Sequence, residues 1–223
     1  MPRIGLIHAL RHSLAPIEEA VARVWPEAEV AHLLDASLSA DLARAGALTP
    51  AMTERFLALA RYAAGTGADG ILFTCSAFGP CIEACARALA PMPVLKPNEA
   101  MIEAAVAAAG ASGRIGLLAS FAPTLASMPP EFATAAPGAQ VTAALAEGAL
   151  DALDRGDAAR HDALAVAAAA ALQACDVIAL AQFSLARAAP AIAARTGRAV
   201  LTTPESAVRK LRALLEGPGR GAG

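Results

Sequence analysis

The chain repeats itself. RIGLLAS at 114–120 restates RIGLIHA at 3–9, and CDVIALAQFS at 175–184 follows the plan of ADGILFTCSA at 68–77. AVLTTPESA at 199–207 follows PVLKPNEA at 93–100. The offsets are nearly constant, 111, 107 and about 106 positions. One such match arises easily in an alanine-rich sequence, but three in the same order do not. The 223 residues are therefore restricted to two copies of one plan.

Within each copy, short apolar runs alternate with helical stretches. RIGLIH, a run at 29–34, GILFT and PVL read as strands. The stretch 49–65 reads as a helix with Thr49 as N-cap, Pro50 at the first position and Gly65 at its end. Strands separated by helices of ten or more residues indicate βα units with parallel sheets. The expected fold is α/β, with two pseudo-symmetric parallel-sheet lobes and a cleft between them. The expected lobes are 1–112 and 113–216, divided at the polar stretch 110–113. A last helix at 205–215 is expected to pack back on the first lobe, and a flexible tail is expected at 217–223. Parallel sheets bind ligands beyond the carboxyl ends of their strands, so the loops at 8–13, 75–79, 120–124 and 182–184 should line the cleft.

Composition narrows the function. Hydrophobic residues make up 57% and charged residues 17% of the chain, which excludes a disordered protein. A net charge of −2 without basic runs argues against nucleic-acid binding or a polybasic membrane contact. The N-terminus lacks a secretory leader, and the apolar window at 163–181 carries Gln173 and Asp176, so no membrane span is expected. The four cysteines, Cys75, Cys81, Cys85 and Cys175, form no CxxC pair. They point to free thiols in a reducing cytoplasm, with no metal site and no cofactor. No glycine-rich phosphate loop follows a strand.

Cys75 is the foremost chemical candidate, since it directly follows a buried strand and precedes a helix in FTCSAFGP. Backbone N–H groups and the helix dipole at such a place favour thiolate. The same amides, including that of Ala77, and the Ser76 hydroxyl can hold a carboxylate. His8, at the end of the first strand, is the candidate acid–base partner. Arg11 supplies a cation, while Ser120 and Thr124 are either carboxylate ligands or helix caps. Gln182 and Ser184 aim polar groups into an apolar surround, which favours substrate hydrogen bonding. Asn98 is a further ligand or a cap. His12 reads as a loop hydrogen-bonder. His32 and His161 read as structural or surface residues, and the other three cysteines as packing.

With these residues in view, the sequence resembles the aspartate/glutamate racemase superfamily along nearly its whole length. The family motif around the first reactive cysteine resembles FTCSAFGP, with Cys75 as the matching thiol. The loop ASFAPT at 119–124 is similar to the family's hydroxyl-rich loop. The resemblance implies two α/β lobes, no cofactor, and a small carboxylate substrate whose α-proton is moved by two opposed thiols. The chain departs from that pattern at the second thiol, where Gln182 stands in LAQFS. A two-cysteine mechanism is thus not available. The resemblance then implies a cofactor-independent isomerase or racemase-like enzyme working through the Cys75 thiolate. A single-cysteine decarboxylase or lyase, and a carboxylate-binding regulatory protein without turnover, are the alternatives. Relatives of this kind also make a homodimer possible.

Overall fold

A computed structural model describes residues 1–217. The tail expected from 217 onward lies, beyond Gly217, outside the described residues. In chain order the elements are β1 (Arg3–His8), α1 (Leu14–Val24), β2 (Glu29–Leu34), α2 (Ser37–Ala45), α3 (Pro50–Gly65), β3 (Gly70–Phe73), α4 (Gly79–Ala88) and β4 (Val94–Leu95). They continue with α5 (Glu99–Ala109), β5 (Arg114–Ala119), α6 (Ala122–Ala135), β6 (Gln140–Leu145), α7 (Ala149–Asp154), α8 (Ala158–Ala169), β7 (Val177–Leu180), α9 (Ala189–Thr196), β8 (Ala199–Thr202) and α10 (Thr203–Glu216).

The chain forms two units, each with its own four-stranded sheet. The first holds Met1–Pro97 and the chain from Pro204 on, and the second holds Asn98–Thr203. The strand orders are β2-β1-β3-β4 and β6-β5-β7-β8, and every pairing is parallel. Both inner strand pairs, β1–β3 and β5–β7, read as unbroken apolar runs because helices cover both faces of a parallel sheet.

The duplication reaches individual bonds. Asp69 Oδ2 accepts from the Arg3 amide at 2.8 Å, and Asp176 Oδ2 accepts from the Arg114 amide at 2.8 Å. In return, the Asp69 and Asp176 amides donate to the Arg3 and Arg114 carbonyls, both at 2.7 Å. One carboxylate thus fixes the starting register of each central strand pair.

Each unit holds the helix that follows the other's fourth strand. The sequence placed α5 with the first lobe, but it packs in the second. Its Met101, Ile102 and Ala105 are buried against Ile115, Leu117, Val177 and Ala179. Length and periodicity identify the helix but not the sheet that takes its apolar stripe, so the division falls at Pro97 instead of residue 112. α10 packs in the first unit, with Leu211 fully buried. Arg212 donates to the Val24 carbonyl at 2.6 Å and the Trp25 indole donates to Glu216 at 2.8 Å, so α10 is clasped to the end of α1.

The first unit also contains an aromatic cluster. Phe56 of α3 lies 5.1 Å from Phe73 and 4.8 Å from Phe78, centroid to centroid. Each fully buried aromatic or aliphatic side chain contributes about 1.5–3 kcal/mol.

Gly5 and Gly116 occupy the same place in the two copies and admit a close helix. A Cβ on Gly116 would lie 3.0 Å from Leu172 Cβ and 3.3 Å from Cys175 Sγ. Gly116→Ala should therefore lower unfolding free energy by about 1–3 kcal/mol, the usual cost of overpacking. Gly65→Ala, with nothing within 4 Å of the new atom, should be neutral or stabilising. Urea denaturation of the two variants checks the contrast.

Candidate functional site

The duplicated strands end in duplicated geometry. The Thr74 amide donates to the Ile7 carbonyl at 3.0 Å, and the Ala181 amide donates to the Leu118 carbonyl at 2.9 Å. The next residues are Cys75 and Gln182. Both are extended, with φ/ψ of −128°/116° and −116°/148°. Both lead into 3-10 turns, Ser76–Phe78 and Phe183–Ala188. Cys75 and Gln182 therefore hold the same station in the two units, as the sequence repeat indicates.

The Cys75 residue is buried, with 8% of its surface exposed. Its sulfur meets the Ala77 amide and the Ser39 hydroxyl. Burial outweighs both contacts and pushes the thiol up to about 11. The sequence argued for a depressed value, and the structure corrects it. The turn at Ser76–Phe78 separates Cys75 from α4, whose N-cap is Phe78, so the first amides of the α-helix do not cap the sulfur. Ser76 and Ala77 are themselves buried.

His8 is fully buried, and both its ring nitrogens are engaged. Nδ1 lies 2.8 Å from Thr74 Oγ1 and Nε2 lies 3.0 Å from His32 Nδ1. His32 Nε2 reaches Glu18 Oε1 on α1 at 3.3 Å. With both rings neutral, one assignment satisfies every atom: Thr74 donates to His8, His8 to His32, and His32 to Glu18. Burial, with the neighbouring His32, lowers the His8 pKa from 6.5 to about 4. Side chains alternate along extended backbone, so Thr74 shares the His8 face and Cys75 leaves on the other. The structure brings His8 to Thr74, not to the Cys75 sulfur. Sequence reading missed His32 as its partner. The signal lay in the parallel register, which sets His32 opposite Leu6 and so diagonal to His8.

In the second unit the structure joins three of the expected residues. Gln182 Oε1 accepts from the Ser120 amide at 2.7 Å and the Ser120 hydroxyl at 3.4 Å, while Nε2 donates to Thr124 Oγ1 at 2.7 Å. The carboxamide is satisfied within its own unit. Ser184 is buried in the following turn, and Asn98 is buried with its Nδ2 donating to Glu131 at 2.9 Å. Arg11 is exposed in the 3-10 turn Arg11–Ser13.

His161 is fully buried, and its Nδ1 lies 2.7 Å from Asp162 Oδ1. Among the described residues, no group of three or more His, Cys, Asp or Glu side chains is placed to hold a metal ion. No helix there is long and apolar enough to cross a membrane.

Solved structures share this architecture. A glutamate racemase from Bacillus anthracis superposes with a TM-score of 0.74 at 14% identity, over 98% of this chain and 83% of that one. Allantoin racemase from Klebsiella pneumoniae gives 0.67 at 16% identity, over 97% and 88%. A liganded arylmalonate decarboxylase, bearing a glycine-to-cysteine and a cysteine-to-serine substitution, gives 0.66 at 22% identity, over 100% and 94%. The chain thus has the two-lobe α/β fold of the racemase-like proteins. No protein-family model matches it, and no curated protein matches it by sequence.

Two outcomes follow from the first unit. Cys75 should alkylate slowly at pH 7 and gain about tenfold per pH unit toward its raised pKa, read as iodoacetamide labelling of its peptide. His8 makes the fold acid-sensitive: the unfolded chain takes up a proton near pH 6.5 that the folded chain refuses until about pH 4. Stability therefore falls as pH drops through that window. Between pH 7.5 and pH 5 wild type should lose about 2 kcal/mol more than His8→Gln, measured by urea titration at both pH values.

Proposed function

We propose that the protein is a cofactor-independent, isomerase- or racemase-like enzyme acting on a small carboxylate, with Cys75 as its proton-transferring group. The observation that carries this reading is a single thiol at the strand-end station of a racemase-like fold, backed by the Ala77 amide. In this reading the Cys75 thiolate takes the proton from the carbon next to the carboxylate, and the electron pair stays on that carbon. A proton from solvent then reaches the opposite face of that carbon, which inverts it, and the Cys75 thiol returns the first proton to solvent. Ser76 and Ala77 hold the carboxylate, with Arg11, in the turn after β1, as the cation. His8 acts through Thr74 as a positioning residue.

A second reading draws on one observation in particular. The thiol is pushed up to about 11, so Cys75 rests as S–H, and Gln182 cannot titrate. A resting thiol suits decarboxylation of a malonate-like diacid. The bond to one carboxyl breaks, carbon dioxide leaves with its electron pair retained on carbon, and the Cys75 S–H supplies the proton to one face. Solvent then restores the thiol.

Incubation in deuterium oxide with amino acids, hydantoins, malonates and unsaturated diacids separates the two. The first reading gives deuterium at the α-carbon with the carboxylates intact. The second gives carbon dioxide and a singly deuterated product of one hand. Cys75→Ala should reduce either reaction by at least a thousandfold, since no other group at that position moves the proton. A variant within a few-fold of wild type would overturn the role given to Cys75.

A further inference from the structure

The carboxamide of Gln182 reads the end of its own sheet. The Ser120 amide can only donate, so the atom facing it at 2.7 Å is Oε1. Nε2 therefore faces Thr124 and donates to Oγ1 at 2.7 Å. One backbone N–H and one hydroxyl oxygen thus form a donor–acceptor pair, and a C=O and an N–H side by side close it.

The first unit carries the same pair. RIGLIHALRHS at 3–13 and RIGLLASFAPT at 114–124 run at one offset of 111 positions, which matches Ala9 to Ser120 and Ser13 to Thr124. The backbone agrees at both ends of the loop. The Asp35 amide donates to the His8 carbonyl at 3.0 Å, as the Ala146 amide does to the Ala119 carbonyl at 2.7 Å. The Ser13 amide donates to the Leu10 carbonyl at 3.2 Å, as the Thr124 amide does to the Phe121 carbonyl at 3.1 Å. Ala9 and Ser13 are buried, as are Ser120 and Thr124.

Ser13 immediately precedes α1, but its hydroxyl caps none of that helix's amides. It donates instead to the Thr74 carbonyl at 3.4 Å, the carbonyl of the peptide bond that leads into Cys75. With its one hydrogen placed there, Ser13 Oγ meets any further group as an acceptor. Thr124 Oγ1 plays that role toward Gln182. The Ala9 amide is the donor. Backbone groups two residues apart on a strand point the same way, so this amide faces the β3 side, as the Ile7 carbonyl does. What differs between the units is the strand-end residue. Gln182 brings a carboxamide to its pair, whereas Cys75 has no side-chain oxygen or nitrogen to bring.

We propose that the Ala9 amide and the Ser13 hydroxyl bind the carboxamide of a substrate beside Cys75, the ligand C=O accepting from Ala9 and the ligand N–H donating to Ser13 Oγ. Such a substrate is a small acid with a carboxylate and a carboxamide on the reacting carbon, as in 2-methylmalonamate. A dicarboxylate fits less well, because a carboxylate oxygen brings no hydrogen to Ser13 and meets its lone pairs. The inference rests on the proposed function, whose substrate class it names, but its test is binding and needs no turnover.

Protection of Cys75 from iodoacetamide, read on its peptide at alkaline pH, reports binding beside the sulfur. 2-Methylmalonamate should protect at about tenfold lower concentration than 2-methylmalonate or the N,N-dimethyl amide, the usual effect of losing one buried hydrogen bond. Ser13→Ala should abolish that preference, whereas Ser13→Thr, which copies Thr124, should keep it. A general loosening of the loop would weaken all three ligands alike and leave the preference intact. Equal protection by the diacid and the carboxamide in wild type would overturn the inference, since Ser13 would then turn its hydrogen to the ligand. A preference that survives Ser13→Ala would overturn it too, as would no protection by the carboxamide. Failure of the proposed function looks different. Cys75→Ala would retain turnover, while the ligand preference and its loss in Ser13→Ala stood unchanged.

Discussion

The chemistry available to the first unit depends on one backbone hydrogen bond, from the Thr74 amide to the Ile7 carbonyl. It carries the parallel pairing of β1 and β3 one residue past the strand and leaves Cys75 extended at the sheet's carboxyl edge. The contacts around it follow from that placement. Thr74 presents its hydroxyl to His8, and its carbonyl accepts from Ser13 at 3.4 Å. Cys75, on the alternate face, meets the Ala77 amide and Ser39. A parallel sheet has no hairpin to fix its register, so the Arg3–Asp69 brace at the opposite end matters as much. A slip of one residue would exchange the faces of Thr74 and Cys75.

The second unit repeats this frame and spends it differently. Gln182 takes the station of Cys75 but bonds inward, to the amide of Ser120 and the hydroxyl of Thr124. In the first unit the strand-end side chain is a titratable group held by weak contacts. In the second it is an uncharged amide held by strong ones. Two frames built alike therefore differ in which one can release a proton and which one can only hold a shape.

Much of this was legible in the sequence, for identifiable reasons. The three repeated segments announced two copies, and alternation of short apolar runs with helices announced parallel sheets. Thr49 and Pro50 marked the start of α3, where the Thr49 hydroxyl accepts from the Met52 amide. Cys75 was found because it directly follows an apolar strand and precedes a helix in FTCSAFGP. What local pattern could not supply was partnership at a distance. Ser39 is 36 residues from Cys75 in the chain, and nothing near it marks it as more than one serine in an amphipathic helix. His32 became a partner of His8 only through strand register. The acidity of Cys75 was misjudged because it depends on burial in the folded unit and on a 3-10 turn too short to be seen in periodicity. The Gln182 amide, read as a group in want of a substrate, finds its partners in Ser120 after β5 and Thr124 in the first turn of α6.

The traded helices have a consequence for origin. A single-copy ancestor with this connectivity would run four strands and then extend a helix that its own sheet does not take up. Such a chain finishes its core by lending that helix to an identical partner and receiving one in return. Fusion of two such copies would turn an exchange between molecules into one within a single chain. A fused chain, unlike a pair of identical molecules, can carry sulfur at one strand-end station and an amide at the other.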